Sequence, residues 1–276
     1  MIDERRACGH AILAAIFVGG DFRVEEIMSK DSVVANHTAR MLLRSLRPYR
    51  PLGLDFLRIG RPFDGGYVMV DAFNEVEAAY SLGINDDPSW DYDIAQRGID
   101  VYQYDHTIDA LPFEHEHFHW KKIGIGHKSD GDLKSLTDMI VENEHSCKKN
   151  MLLKCDVEGA EWLAFAFTPA NIFRRFSQMV VEIHYVGRFG DPSFAATAHQ
   201  TLLNVTAHHR VVHVHANNHH PFETVGGIPL PPTLEITFLR KDMASFEPIT
   251  HTFPTRLDMP CNPQIADFYL GSFSFD

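Results

Sequence analysis

The sequence predicts an α/β fold: a Rossmann-like, mostly parallel seven-stranded sheet with helices on both faces. Three observations carry this. Short apolar runs alternate with stretches of helical spacing between residues 78 and 239, the pattern of repeated βαβ units. One run, Met151-Leu152-Leu153, is apolar without alternation, as in a strand buried on both faces. It is followed at once by Asp156, Glu158, Gly159 and Glu161, and acids beside a buried strand end need a partner or a task. Open α/β sheets bind ligands outside the carboxyl ends of their strands, so this stretch reads as a strand end lining a ligand crevice. Helix-capping carboxylates are the competing reading, because acids favour a helix N-terminus.

The elements follow in order. Residues 1–57 read as a helical extension, with helical spacing at Val24, Ile27, Met28 and again at Leu42, Leu43, Leu46, stopped by Pro48 and Pro51. Two short apolar runs flank Asp64-Gly65-Gly66, which predicts a hairpin. Residues 78–84 form the first sheet strand. Asp87 and Pro88 suit the cap and first position of a helix that stops at Gly98. The second strand spans residues 99–104 and ends at Asp105. Residues 118–125 form a third strand, 133–144 a helix, and 151 onward the central strand, followed by a helix through Trp162 and Phe165. Strands at 178–185, 211–215 and 234–239, with a helix at 194–208, complete residues 58–240 as one domain. Residues 241–276 form a tail, rich in Pro and aromatics, packed on it.

The net charge of −12 argues against a nucleic-acid partner. The cysteines Cys8, Cys147, Cys155 and Cys261 form no CxxC pair, which suggests reduced thiols and a cytoplasmic setting. The apolar stretch at residues 11–20 is too short to span a bilayer. Acids precede its arginines and no small-residue cleavage pattern ends it, so it reads as a packed helix. The expected partner is a small molecule or glycan, with no membrane span; a homo-oligomer is allowed.

The chemistry-bearing residues lie at strand ends. Asp105, about 20 residues beyond the first turn, stands where dinucleotide folds hold a ribose hydroxyl; an Asx turn is the alternative. The first turn, Gly83-Ile84-Asn85-Asp86, lacks GxGxxG and carries acid where a diphosphate needs bare amides. A cofactor with a ribose and a cation, S-adenosylmethionine (SAM), fits better than NAD. Glu182 and His184 share strand parity, as do His213 and His215, with Asn217 and Asn218 following. Asp156, Glu158, Glu182 and His184 can then converge. Two readings compete: a general base, or a hard divalent site (magnesium or manganese) of Asp156, Glu182 and His184. The loop histidines, His219 and His220 among them, read as surface residues.

Lys154-Cys155-Asp156-Val157-Glu158-Gly159-Ala160-Glu161 resembles the KxDVEGAE signature of the FkbM-type SAM-dependent methyltransferases. Arg61-Pro62-Phe63-Asp64-Gly65-Gly66-Tyr67-Val68 is similar to a DGGYV element of that family, and residues 80–87, 135–138, 182–184 and 215–218 match further segments in order. The resemblance covers roughly residues 58–240. It implies a class I methyltransferase fold and O-methylation, often of a sugar hydroxyl. On that footing Gly83, Asn85 and Asp86 line the methionine end of SAM, Asp64, Gly65, Gly66 and Tyr67 close over it, and Asp105 holds the ribose. Asp156, Glu158 and His184 serve catalysis, and His215, Asn217 and Asn218 face the acceptor. The chain departs from the class I pattern in having a single glycine, Gly83, in the SAM turn. An NAD-dependent oxidoreductase and a non-enzymatic sugar- or metal-binding module remain the alternatives.

Overall fold

The structure, a computed structural model, describes residues 30–275. The helices expected around residues 11–20 and 24–28, and Cys8, lie outside the described residues. Seven strands, β1 (Ala78–Leu82), β2 (Val101–Tyr104), β3 (Phe118–Lys121), β4 (Met151–Cys155), β5 (Phe176–Ile183), β6 (His209–Ala216) and β7 (Leu234–Arg240), form one sheet. Its order is β6-β7-β5-β4-β1-β2-β3. Strands β1 to β5 pair in parallel, and β7 runs antiparallel to both β5 and β6. Among the described residues six α-helices accompany it: α1 (Lys30–Ser45), α2 (Ser89–Ala95), α3 (Leu136–Glu142), α4 (Ala160–Ala166), α5 (Ala170–Phe173) and α6 (Pro192–Thr206). This is a mixed α/β architecture compatible with a Rossmann-like fold.

Strand parity divides the core. Tyr80, Leu153 and Val181 face the larger cluster, which holds residues of α1, α3, α4, α5 and α6. Ala79, Leu152 and Val180 face a smaller one with Trp90 and Ile94 of α2 and Tyr67 and Met69 of the hairpin. All five residues of β4 are buried, because it is central and covered on both faces. Among the described residues no helix is long and apolar enough to cross a membrane, and Cys147, Cys155 and Cys261 are free thiols.

The hairpin forms as expected, Phe56–Ile59 against Tyr67–Val70. What the sequence does not announce is how it docks. The buried Gln178 side chain accepts from the Val70 amide at 2.6 Å and donates to the Val70 carbonyl at 3.1 Å. The Thr237 hydroxyl donates to the Val68 carbonyl at 2.6 Å. Gln178→Ala would orphan buried backbone groups, so it should cost about 1–3 kcal/mol of stability. Urea unfolding measures this, and an unchanged midpoint would show that the hairpin docks without Gln178.

Several boundaries differ from expectation. The third strand stops at Lys121; the chain turns, and Gly124–Ile125 pairs with Leu133–Lys134 in a separate ribbon. That pairing takes Leu133 and Lys134 out of the expected helix, and α3 starts after Ser135, whose hydroxyl accepts from the Asp138 amide. Asp87 is not the cap of α2, because Pro88 occupies that position. Asp87 instead accepts from the Ser89 amide at 3.1 Å and pairs with Arg61 at 3.1 Å, tying helix to hairpin. The tail contributes Phe253 and Phe273 to the main core, and Phe246–Pro248 pairs with Tyr49–Pro51.

Candidate active site

The carboxyl ends of β1, β2, β4, β5 and β6, with the start of the antiparallel β7, open on one cavity of about 690 Å³. It lies where the strand order reverses between β1 and β4, the place at which open α/β sheets bind ligands, and its size is that of a small-molecule site. Gly83 makes the floor. It has φ +80°, and a Cβ there would lie 1.7 Å from the Asp156 carbonyl oxygen. The backbones leaving β1 and β4 therefore meet without a side chain between them, and the Asp156 amide donates to the Leu82 carbonyl at 2.9 Å. Lys154, buried below, donates its ammonium to the Gly83 carbonyl.

The lining carries five carboxylates, Asp64, Asp105, Asp156, Glu158 and Glu182, and four histidines, His106, His184, His219 and His220, with no lysine or arginine. His184 is the hub. Its Nδ1 lies 3.3 Å from Glu161 Oε1, and its Nε2 lies 3.4 Å from Glu158, 3.7 Å from Glu182 and 3.9 Å from Asp156. Glu161 is fully buried and fixed: it accepts from the Gly159 amide at 2.7 Å and the His184 amide at 2.8 Å. Trp162 Nε1 donates to the His184 carbonyl at 2.7 Å, fixing the backbone from the other side. Burial alone would lower the His184 pKa, but the hydrogen bond and charge of Glu161, with the charges of Asp156 and Glu158, raise it above the ordinary value. The Glu158 side chain is 87 % exposed, so its share is screened.

Glu182 is buried, and burial together with Asp156, Glu235 and Asp64 drives its carboxyl pKa well up; Asn217 donates to it at 3.0 Å. Asp64 is raised mainly by burial, and His219 approaches it at 3.7 Å. Tyr67 donates to Asp156 at 3.3 Å, and burial raises its phenol well up.

Asp105 lines the cavity, but its oxygens are engaged. Oδ2 accepts from the Ile84 and Asn85 amides at 2.8 and 2.9 Å, and Oδ1 accepts from the Thr107 amide and hydroxyl at 2.7 and 2.6 Å. Four bonds use the lone-pair capacity of a carboxylate. Burial opposes the charge, yet these bonds hold the Asp105 pKa below its usual value. Its first task is thus to hold the Gly83–Asn85 turn, and a ribose hydroxyl would have to displace one of these donors.

The residues expected at the site divide accordingly. Asp64, Gly83, Asn85, Asp105, Asp156, Glu158, Glu182, His184 and Asn217 line the cavity. Asp86 is exposed outside it. Gly65 and Gly66 pack against Asp87 and Arg61 within the hairpin turn instead, and Tyr67 touches the site only through its hydroxyl. His215 is buried away from the cavity, paired with Glu235 at 2.8 Å and Asp267 at 3.0 Å. Asn218 is also buried; it accepts from the Asn262 amide at 2.6 Å and so anchors the tail. Neither is placed to meet an acceptor.

The expected metal trio regroups as well. Donor atoms of Asp156, Glu158 and His184 lie within 4.8 Å of one another, whereas Glu182 clusters with Asp64 and Glu235. Asp156 and Glu158 meet through a turn rather than along a strand, since β4 ends at Cys155 and Glu158 has φ +53°. Sequence reasoning missed Glu161 as the partner of His184, although it stands in the quoted motif. It also missed Thr107, His106 and the loop histidines His219 and His220, for which only their positions after strands gave a signal.

No family model matches the chain, and no curated protein matches it. A solved structure titled "Putative hemolysin from Streptococcus thermophilus" is similar at 11% identity, covering 64% of this chain and 72% of that one, with a TM-score of 0.35.

Proposed function

We propose that the chain is a SAM-dependent O-methyltransferase of the FkbM type, on a class I methyltransferase fold, acting on a sugar or glycoconjugate hydroxyl. The observation that carries this is a cavity at the sheet's switch point lined by five carboxylates and no lysine or arginine, with one histidine held by a buried glutamate. Such a lining suits a cationic nucleoside and repels a diphosphate. The antiparallel β7 between β5 and β6 also departs from the 3-2-1-4-5-6 order of dinucleotide-binding sheets. Both points favour SAM over NAD.

In this reading the Gly83–Asn85 turn, held by Asp105, cradles the methionine end of SAM, and Asp64 and Asp156 attract its positive groups. When bound, SAM supplies an electrophilic methyl group. Holding the acceptor hydroxyl in line with it accounts for much of the rate. His184 Nε2 faces the cavity and takes the hydroxyl proton, while Glu161 steadies the imidazole through Nδ1. Asn217 and His219 stand at the rim, where an acceptor's other hydroxyls would bind.

A metal-assisted variant is favoured by one observation, the approach of Asp156, Glu158 and His184 donors within 4.8 Å. Two carboxylates and an imidazole would hold a hard dication that acidifies the hydroxyl. Incubation with SAM and a panel of sugars tests the main reading: S-adenosylhomocysteine should form only when an acceptor is present. Release of the product should not depend on added magnesium or manganese if His184 is the base. A strict requirement for either ion would move the assignment to the metal-assisted variant.

Asp105→Ala should weaken SAM binding and also lower thermal stability, because the Ile84 and Asn85 amides lose a charged acceptor worth about 1.5–3 kcal/mol. Calorimetry and thermal unfolding read the two effects. Unchanged SAM affinity would remove Asp105 from the site.

A further inference from the structure

A buried polar cluster lies beside the cavity, between β6, β7 and the tail. Strand register places Glu182, Glu235 and His215 in one row: Glu182 is directly opposite Glu235, and Glu235 directly opposite His215. Two like charges facing each other across strands are destabilising, and all three side chains are buried. The row calls for positive charge beside Glu235. The tail then brings in Cys261, whose Sγ lies 3.4 Å from Glu235 Oε1, while His215 Nδ1 lies 2.8 Å from Glu235 Oε2. The three donors lie within 4.8 Å of one another. Asp267 accepts from His215 Nε2 at 3.0 Å, so the proton on that nitrogen is held away from the cluster, and Nδ1, which faces Glu235 at 2.8 Å, is the nitrogen open to a metal once its own proton leaves.

We propose that His215 Nδ1, Glu235 and Cys261 bind a divalent transition metal, zinc by the chemistry of the donor set. An imidazole and a thiolate beside one carboxylate make a mixed nitrogen, sulfur and oxygen donor set that suits zinc rather than magnesium or calcium. With the usual zinc bond lengths, a tetrahedral site separates nitrogen from carboxylate oxygen by about 3.4 Å and sulfur from oxygen by about 3.6 Å. The nitrogen lies 2.8 Å from Glu235 Oε2 and the sulfur 3.4 Å from Oε1, so a metal held by one carboxylate oxygen requires the Glu235 carboxylate to turn as the donors spread. Asp267 on the far nitrogen of His215 is the carboxylate–histidine arrangement that orients metal-bound imidazoles. Binding displaces the Cys261 thiol proton and the His215 Nδ1 proton to solvent and leaves one coordination position for water. The ion would neutralise Glu235, relieve its opposition to Glu182, and pin the tail to the sheet beside the cavity. This holds whatever reaction the cavity supports.

The test uses the full chain, stripped with a chelator and titrated with cobalt(II) in place of zinc. The expected result is one ion per chain with a near-ultraviolet thiolate-to-cobalt band and the intense visible spectrum of a tetrahedral site. Cys261→Ser should abolish the thiolate band, whereas Cys8→Ser and Cys147→Ser should keep it. Asp267→Asn should retain the band but lose affinity by about 10–100-fold. Absence of the band in the unaltered protein, or its persistence in Cys261→Ser, would overturn the proposal. The cluster would then be a metal-free ion pair in which protonated His215 alone balances Glu235 and Asp267.

Discussion

His184→Ala is expected to lower kcat of the proposed methyl transfer on the order of 10²–10⁴-fold while leaving SAM affinity within a few-fold. A sugar hydroxyl barely ionises at neutral pH, so loss of the proton acceptor falls on the chemical step. The neutral imidazole is the active form. Because the surrounding carboxylates raise its pKa, the rate should climb with pH to an inflection above the ordinary histidine value of 6.5. Stability runs the other way. A folded-state pKa raised above the unfolded one contributes stability that is complete below the unfolded value and is lost as pH rises through the folded value. Glu161→Gln keeps an acceptor oxygen for the two amides but removes the charge, so the inflection should move down in pH. A pH profile untouched by Glu161→Gln would show that the histidine observed in turnover is not His184, and a His184→Ala enzyme with full kcat would remove the base assignment altogether.

Gly83→Ala should have the largest effect on the fold of the site. A residue with a Cβ at φ +80° is strained, by roughly 1–2 kcal/mol. The added carbon also meets the backbone of Asp156, which no rotamer change can move, at a cost of about 1–3 kcal/mol as for overpacking. Together these predict about 2–5 kcal/mol lost stability and a displaced Ile84–Asn85 turn. SAM binding should fall with it. Denaturant unfolding and calorimetry check both, and a stable Gly83→Ala protein that binds SAM normally would contradict the floor described for the cavity.

The sheet was legible because its central strands are short apolar runs buried on both faces, and such runs survive in the primary sequence. The strand-end acids were legible for the same reason: Asp156 and Glu182 are costly in such places. What could not be read depends on contacts far apart in the chain. Asp258 and Asp267 look like ordinary tail acids until β6 delivers His213 and His215 to them at 2.8 and 3.0 Å. The resemblance pointed to His215 and Asn218 as acceptor-facing residues, whereas the tail takes both. Glu182 and His184 do face the cavity, although β5 ends at Ile183 and Tyr185 takes φ +59°. Glu161 was visible as an acid at a helix start. That it would turn inward to hold His184, rather than merely cap α4, depends on the close approach of β5, which periodicity does not encode.

The account turns on a cavity built for a cationic nucleoside, and calorimetric titration of the full chain with SAM and, separately, with NAD tests that most directly. The prediction is one SAM site per chain, with affinity lost in Gly83→Ala and no heat from NAD. Saturable NAD binding in the absence of any SAM binding would contradict it.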